Sequence, residues 1–242
     1  MKKKQMVAGV LASALMLGAG SASAVVIDNF TGDTYSADAP LTGASAGTSS
    51  AGYTRTVDAT TSGVSTTIQI NTLTNTALYA HSQESGVTGT SQLNFDLGGL
   101  DLTGGGTLNA FRIGLNSIDL DGWFGIIVDS IKVELSSNSV LIDNGLATPS
   151  YADILFSDFG LADLANASTL SLFVDSKTTA ALDASFFMLE TVCSGLASSG
   201  GSGVNGTNGN CNISTVPEPG TLVLLGLGLA GMARIGRKKL TA

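Results

Sequence analysis

The chain has 242 residues, room for one or two domains, with 43% hydrophobic residues, only 12% charged ones and 31 glycines. Its 11 Lys and Arg stand against 19 Asp and Glu, a net charge of −8, but seven of the eleven lie at the two ends. Between Val25 and Val216 only Arg55, Arg112, Lys132 and Lys177 face 18 acids, a net of −14, so this segment lacks the basic face that nucleic acid requires, and that partner is excluded.

The first element is an export signal. Met1 to Lys4 is basic, Met6 to Gly20 is uncharged and mostly apolar, and Ala22-Ser23-Ala24 has the small-residue A-x-A form. That three-part pattern is a secretory signal peptide over residues 1–24, cut after Ala24 by signal peptidase. The apolar run, about 15 residues, is shorter than the roughly 20 a helix needs to span a bilayer. No Cys follows the cut, which argues against a lipid anchor.

Residues 25–192 read as one antiparallel β-sandwich or jelly roll, an all-β class. Val25 to Phe30 and Tyr53 to Val57 are candidate strands. Thr66, Ile68 and Ile70 share a face with Val64, while Ser65, Thr67, Gln69 and Asn71 lie opposite. Leu93, Phe95 and Leu97 alternate with Gln92, Asn94 and Asp96. Phe111 to Leu115 and Trp123 to Val128 follow, then Ile131, Val133 and Leu135 alternate with Lys132, Glu134 and Ser136. Ile154 to Phe156, the face Leu170-Leu172-Val174 and the face Leu182-Ala184-Phe186-Met188 complete the set. Thr103-Gly104-Gly105-Gly106, Asp121-Gly122 and Asp143-Asn144-Gly145 supply turn chemistry between them. Leu161 to Ala165 is the one helical hint. Eleven of the twenty residues from Thr48 to Thr67 are Ser or Thr, read as solvent-facing strand and loop positions, with O-glycosylation as the alternative.

Catalytic signatures are sparse. His81 is the single histidine, it stands at a short Tyr79-Ala80-His81 strand end expected at the surface, and no G-x-S-x-G elbow accompanies it. Asp96, Asp101, Asp119 and Asp121 sit in turn-like contexts where carboxylates and carbonyls can hold a structural calcium, although the full EF-hand pattern is absent. Without such an ion the reading requires no cofactor. Trp123, Tyr35, Tyr53, Tyr79 and Tyr151 are the candidate platforms for stacking a sugar, with core packing the expected place of Trp123.

Residues 193–215 read as a Gly/Ser/Asn-rich spacer enclosed by Cys193 and Cys211. Two cysteines in an exported chain are expected to pair. Closing that loop adds about 3 kcal/mol in the chain-entropy account.

Residues 216–242 form a second address. Val216-Pro217-Glu218-Pro219 cannot continue a helix and leaves an extended, grippable segment. Thr221 to Ala233 is uncharged and apolar, and Arg234, Arg237, Lys238 and Lys239 follow as a basic stop. Thirteen helical residues reach only about 20 Å, a marginal transmembrane helix suited to brief retention. The basic tail keeps the cytoplasmic side and places residues 25–216 outside. Gly226-Leu227-Gly228-Leu229-Ala230-Gly231 spells G-x-G-x-x-G, but no βαβ unit or downstream acid accompanies it, so no dinucleotide site is assigned.

Taken in order, Pro217-Glu218-Pro219, the apolar run and the basic cluster resemble the PEP-CTERM sorting signal of Gram-negative bacteria that make exopolysaccharide. In this chain Ile235-Gly236 interrupts the basic cluster. The resemblance implies recognition and cleavage by exosortase, a membrane-embedded, Cys-dependent, transpeptidase-like protease. A second resemblance covers Leu93 to Asp129, where Asp101-Leu102-Thr103-Gly104-Gly105 before a Phe111-bearing strand is similar to β-sandwich ectodomains of such proteins, as is the strand Ala181 to Thr191. The expectation is therefore an exported, non-enzymatic surface or matrix protein, associated with biofilm or exopolysaccharide and held transiently by the membrane. A calcium-assisted carbohydrate-binding module and a polymer hydrolase using paired Asp are the alternatives.

Overall fold

Fourteen short strands and a single 3-10 turn make up the computed structural model, which describes residues 24–63, 66–70, 77–136, 150–160, 162–194 and 203–204. The strands are β1 (Val25–Asp28), β2 (Tyr35–Asp38), β3 (Leu41–Thr48), β4 (Thr54–Thr61), β5 (Thr66–Ile70), β6 (Tyr79–Gln83) and β7 (Gly89–Leu100). They continue with β8 (Ala110–Ile118), β9 (Trp123–Val128), β10 (Ile131–Ser136), β11 (Ser150–Leu155), β12 (Ala167–Asp175), β13 (Ala184–Val192) and β14 (Gly203–Val204).

All pairings are antiparallel and form two sheets. One runs β14-β11-β8-β13-β6-β5-β2, with β1 added beside β13, and the other runs β10-β9-β12-β7-β4-β3. The expected sandwich is what forms. Period-two alternation explains it: Leu170, Leu172 and Val174 of β12 and Leu93 and Phe95 of β7 are buried, while Thr90, Gln92, Asn94 and Thr169 on the other face are not. From the opposite sheet Ile68, Ile70, Phe111, Ile113 and Phe186 complete the same core. Phe124 of β9 and Phe186 of β13 meet across the sheets at 5.8 Å between ring centroids.

The core is pinned at one end by a buried ion pair. Arg55 is an inward residue of β4, fully buried, and its Nη1 lies 3.0 Å from Asp28 Oδ2 of β1. Arg55 Nε also donates to the Ala46 carbonyl (3.2 Å) and Nη2 to that of Asp33 (2.6 Å). The other Asp28 oxygen accepts from the amides of Phe30 (2.8 Å) and Ser50 (3.1 Å). Every polar group in this cluster therefore has a partner, which is the condition for burying two charges.

Several expectations need correction. In the expected helix Leu161 lies outside the described residues, Ala162 and Asp163 have no regular structure and Leu164 and Ala165 form a turn, and the one helical piece among the described residues is the 3-10 turn Phe156–Phe159. His81 is interior, 1% exposed, because β6 turns Tyr79, His81 and Gln83 inward together. Trp123 is not core: Phe124 takes the inward position beside it. Met188 is only partly buried, since bulges between Ser185 and Met188 shift the alternation of β13. Within the expected spacer, Gly203 and Val204 pair with Asp153 and Ala152, so part of that segment extends a sheet edge.

Candidate functional site

The two addresses lie almost wholly outside the described residues. Pro217, Glu218, Pro219, Arg234, Arg237, Lys238, Lys239 and Ala22 fall there, as does the expected C-terminal helix. Ala24 is described: it is exposed and immediately precedes β1. No helix among the described residues is long and apolar enough to cross a membrane. Cys193 follows directly after β13, and Cys211 lies outside the described residues. Next to Cys193 the chain is held by Asn109, whose Oδ1 accepts from the Ser194 amide (2.7 Å) and whose Nδ2 donates to the Ser194 carbonyl (3.2 Å).

The four Asp considered for calcium do not converge. Asp96 stands opposite Thr169, and Trp123, two residues after Asp121, stands opposite Asp175 of the same strand. Six strand residues, about 20 Å, separate those levels. Asp96 Oδ1 accepts from the Gly98 amide (3.2 Å), and Asp119 Oδ1 from the Asp183 amide (2.8 Å). Asp101 builds a turn: Oδ1 takes the Thr103 hydroxyl (2.6 Å) and amide (2.8 Å), and Oδ2 the Gly105 amide (2.8 Å). These bonds, the Thr103 hydroxyl foremost, hold its carboxyl below the ordinary carboxylate range. Gly104, Gly105 and Gly106 all have positive φ, which is why the turn needs glycine. Among the described residues no three His, Cys, Asp or Glu side chains stand where they could hold a metal ion.

The interior histidine sits in a polar layer of the core. Its Nδ1 is 2.8 Å from Ser91 Oγ, which is also 2.6 Å from the Tyr79 hydroxyl. Burial pushes the His81 pKa down to about 4, against a smaller upward pull from Asp183. His81 Nε2, Thr66 Oγ1 and Gln83 Nε2 are buried without a hydrogen-bond partner. This histidine is a neutral core group with no access to a substrate.

The outer face of the β10-β9-β12-β7-β4-β3 sheet carries the most open chemistry. Register aligns its outward residues in rows across five strands. One row is Thr60, Thr90, Asp175, Trp123 and Ser136, and the next is Asp58, Gln92, Phe173, Gly125 and Glu134. A third is Thr56, Asn94, Ser171, Ile127 and Lys132. Amides and hydroxyls run across it: Asn94 Nδ2 donates to Asp58 Oδ2 (2.7 Å), Ser171 Oγ to Asn94 Oδ1 (2.7 Å) and Gln92 Nε2 to Asn94 Oδ1 (2.6 Å).

Two hollows open on this face. One of about 300 Å³ is lined by Thr60, Thr61, Ser62, Thr88 and Lys177, and one of about 230 Å³ by Gln92, Ile127, Lys132 and Phe173. Thr90 and Asp175 line both, so the hollows adjoin. The Lys177 ammonium lies 3.5 Å from the Trp123 ring centroid, and that of Lys132 lies 4.1 Å from the Phe173 centroid. Glu134 joins them, with Oε2 2.9 Å from Lys132 Nζ and Oε1 3.0 Å from Lys177 Nζ. Partial burial raises the Glu134 pKa, but the two lysines lower it more in sum, so it lies below its ordinary value.

The stacking candidates are thus mostly engaged. Tyr79 is in the core, Trp123 carries Lys177, and Tyr151 packs edge-on to Phe187 at 5.5 Å with the Arg112 guanidinium 5.4 Å from its ring. Tyr35 and Tyr53 pack partly buried against the core. Sequence reading missed Lys132, Lys177, Glu134 and Phe173 as a group. The available signal was the scarcity of cations: Arg55 and Arg112 are buried in ion pairs, which leaves Lys132 and Lys177 as the exposed positive charges of residues 25–192.

Asp153 and Glu190 flank Arg112 across β11, β8 and β13. Arg112 fills the space between them, with Nε and Nη2 2.7 and 2.8 Å from the two Asp153 oxygens. Burial raises the pKa of Glu190.

No curated protein matches the chain. Solved structures that resemble it include two carbohydrate-binding modules. The family 11 carbohydrate-binding module of the cellulosomal cellulase Lic26A-Cel5E of Clostridium thermocellum is 12% identical, with a TM-score of 0.37 over 71% of this chain and 95% of that one. The family 11 module of that organism in complex with a β-1,3-1,4-mixed-linked tetrasaccharide is also 12% identical, with a TM-score of 0.36 over 71% and 96%. At that identity the likeness concerns the fold alone. Residues 215–238 match the PEP-CTERM protein-sorting motif, so the C-terminus carries that sorting signal, which implies export across the inner membrane to the cell envelope and processing by exosortase.

Proposed function

We propose that the chain is an exported, non-enzymatic protein of the cell surface or extracellular matrix. Its acidic sandwich is the cargo. The signal peptide is removed after Ala24, and exosortase cuts near Pro217-Glu218-Pro219 once the apolar run has held the chain in the inner membrane. The observation that carries this reading is the sorting motif at residues 215–238, C-terminal to an acidic β-sandwich. The exposed Ala24, immediately before β1, supports the first cut, because the new N-terminus would begin the first strand. A Cys193–Cys211 disulfide would close the segment that holds β14 and fix where the chain leaves the domain.

The chemistry of the described residues supports a non-catalytic role. Catalysis by general acid needs a carboxyl raised toward neutrality and open to substrate. Glu134, bonded to Lys132 and Lys177, is instead lowered, and the raised Glu190 faces Arg112. Replacing Pro217-Glu218-Pro219 with Ala-Ala-Ala in the native host tests the sorting claim. The expected result is a membrane-held form that keeps its C-terminal segment. Equal processing of variant and wild type contradicts the claim.

A further inference from the structure

Thr66 at the start of β5 and Gln83 at the end of β6 are directly opposed across the strand pair. Both turn inward, 0% and 6% exposed. Thr66 Oγ1 and Gln83 Nε2 are nonetheless buried without a hydrogen-bond partner among the described residues. They meet at one spot. The position that a Cβ would take on Gly89 of β7 lies 2.9 Å from Thr66 Oγ1, 3.2 Å from Gln83 Nε2 and against the Thr60 carbonyl oxygen. A hydroxyl and an amide nitrogen so placed, each buried and each unbonded, form a costly arrangement that calls for a reason. The carboxamide is also oriented. Gln83 Oε1 accepts from the Leu182 amide (3.2 Å), which polarises the carbonyl and leaves Nε2 as the untethered end. A third unpartnered atom, His81 Nε2, belongs to the inward residue two places back on β6, diagonal to Thr66. Diagonal cross-strand neighbours are within reach of long side chains.

We propose that Thr66 and Gln83 join in an intramolecular ester that the chain forms by itself. Thr66 Oγ1 attacks Gln83 Cδ, the C–N bond of the carboxamide breaks, and the nitrogen leaves as ammonia. His81 Nε2 takes the hydroxyl proton and passes it to the departing nitrogen, so a hydroxyl and an amide become an ester and ammonia with no oxidant or further reactant. With Nδ1 donating to Ser91 Oγ, Nε2 carries the lone pair this transfer needs. The Leu182 amide stabilises the oxyanion of the tetrahedral intermediate. The product has neither the orphaned hydroxyl proton nor the orphaned amide nitrogen, so one bond removes both unpartnered groups. Burial of the pair shields the ester from hydrolysis. The reaction occurs once per chain, ties β5 to β6 and turns over no external substrate.

Peptide mass reads the bond directly. The full chain, purified in detergent, is unfolded and digested with trypsin. No Lys or Arg lies between Arg55 and Arg112, so Thr66 and Gln83 leave on one peptide, Thr56 to Arg112. That peptide should be lighter than its sequence mass by one ammonia, about 17 Da. Chymotryptic cleavage after Tyr79, between the two residues, should leave the halves joined, and mild base should then separate them. Thr66→Ser should keep the mass shift, and Thr66→Val and Gln83→Leu should abolish it. His81→Asn should lower the linked fraction of freshly made protein at least about tenfold. A wild-type peptide of unshifted mass, a shift that persists in Thr66→Val, or halves that part after cleavage at Tyr79 each overturns the proposal. The last result is also what an asparagine succinimide, which loses ammonia too, would give. An unchanged linked fraction in His81→Asn overturns the role of the imidazole as proton carrier. The wild-type peptide decides the question alone, so a variant that fails to fold does not rescue the proposal.

Discussion

Asp28→Ala removes the carboxylate that neutralises a fully buried Arg55. The variant keeps the guanidinium inside the core with two carbonyl partners, those of Ala46 and Asp33, and no counter-charge. It also deprives the Phe30 and Ser50 amides of their shared acceptor. Breaking one side of a buried pair costs about 3–5 kcal/mol, because the remaining charge is uncompensated. For a domain of this size each kcal/mol moves the midpoint by about 2–4 °C, so a fall of about 6–20 °C is expected. Thermal unfolding followed by far-UV circular dichroism, with urea midpoints as a second measure, gives the number. The double variant Asp28→Ala/Arg55→Met should recover a large part of the loss, since Met restores an apolar interior without a stranded charge. A shift of less than about 2 °C for Asp28→Ala, or an equal loss in the single and double variants, refutes the assignment of Arg55 and Asp28 as the clamp between the sheets.

Acid should weaken the domain through His81. Its folded pKa of about 4 lies below the ordinary imidazole value of 6.5, so the folded state resists protonation. The associated stability is complete above about pH 6.5 and is lost as pH falls toward 4, by about 3 kcal/mol in total. Asn at position 81 should flatten that dependence, and parallel pH–stability profiles for His81→Asn and wild type count against a buried neutral imidazole. Gly125→Ala places a methyl group against the Val133 carbonyl oxygen, with Glu134 Cα at 2.9 Å and the Phe173 ring at 3.0 Å. The expected loss is about 1–3 kcal/mol by urea unfolding, and unchanged stability shows that β9 and β10 are free to separate there.

The sheets were legible where side chains alternate cleanly. β5 and β7 show the pattern, and their buried faces are the ones the alternation marks. β3 escaped notice because, after Leu41, it is built from Gly, Ala, Ser and Thr, and only Ala46 is buried. β2 is four residues with no buried side chain, held through its pairing with β5. His81 was misplaced because β6 turns polar residues inward, where Ser91 and Asp183 receive them, and those partners are distant in sequence. The four Asp looked close along the chain, but antiparallel strands carry adjacent turns to opposite ends of the sandwich. The lysine face depends on register between β9, β10 and β12, which no local pattern encodes. The C-terminal sorting motif was the most legible part, because it is short linear chemistry that needs no fold.

The account's central claim is that both ends are removed on the way out, and the intact mass of the protein recovered from outside its native host tests it most directly. The expected species begins at Val25 and lacks the apolar run and basic tail that follow Pro217-Glu218-Pro219. A recovered protein that still carries residues 216–242 and remains in the membrane fraction contradicts it.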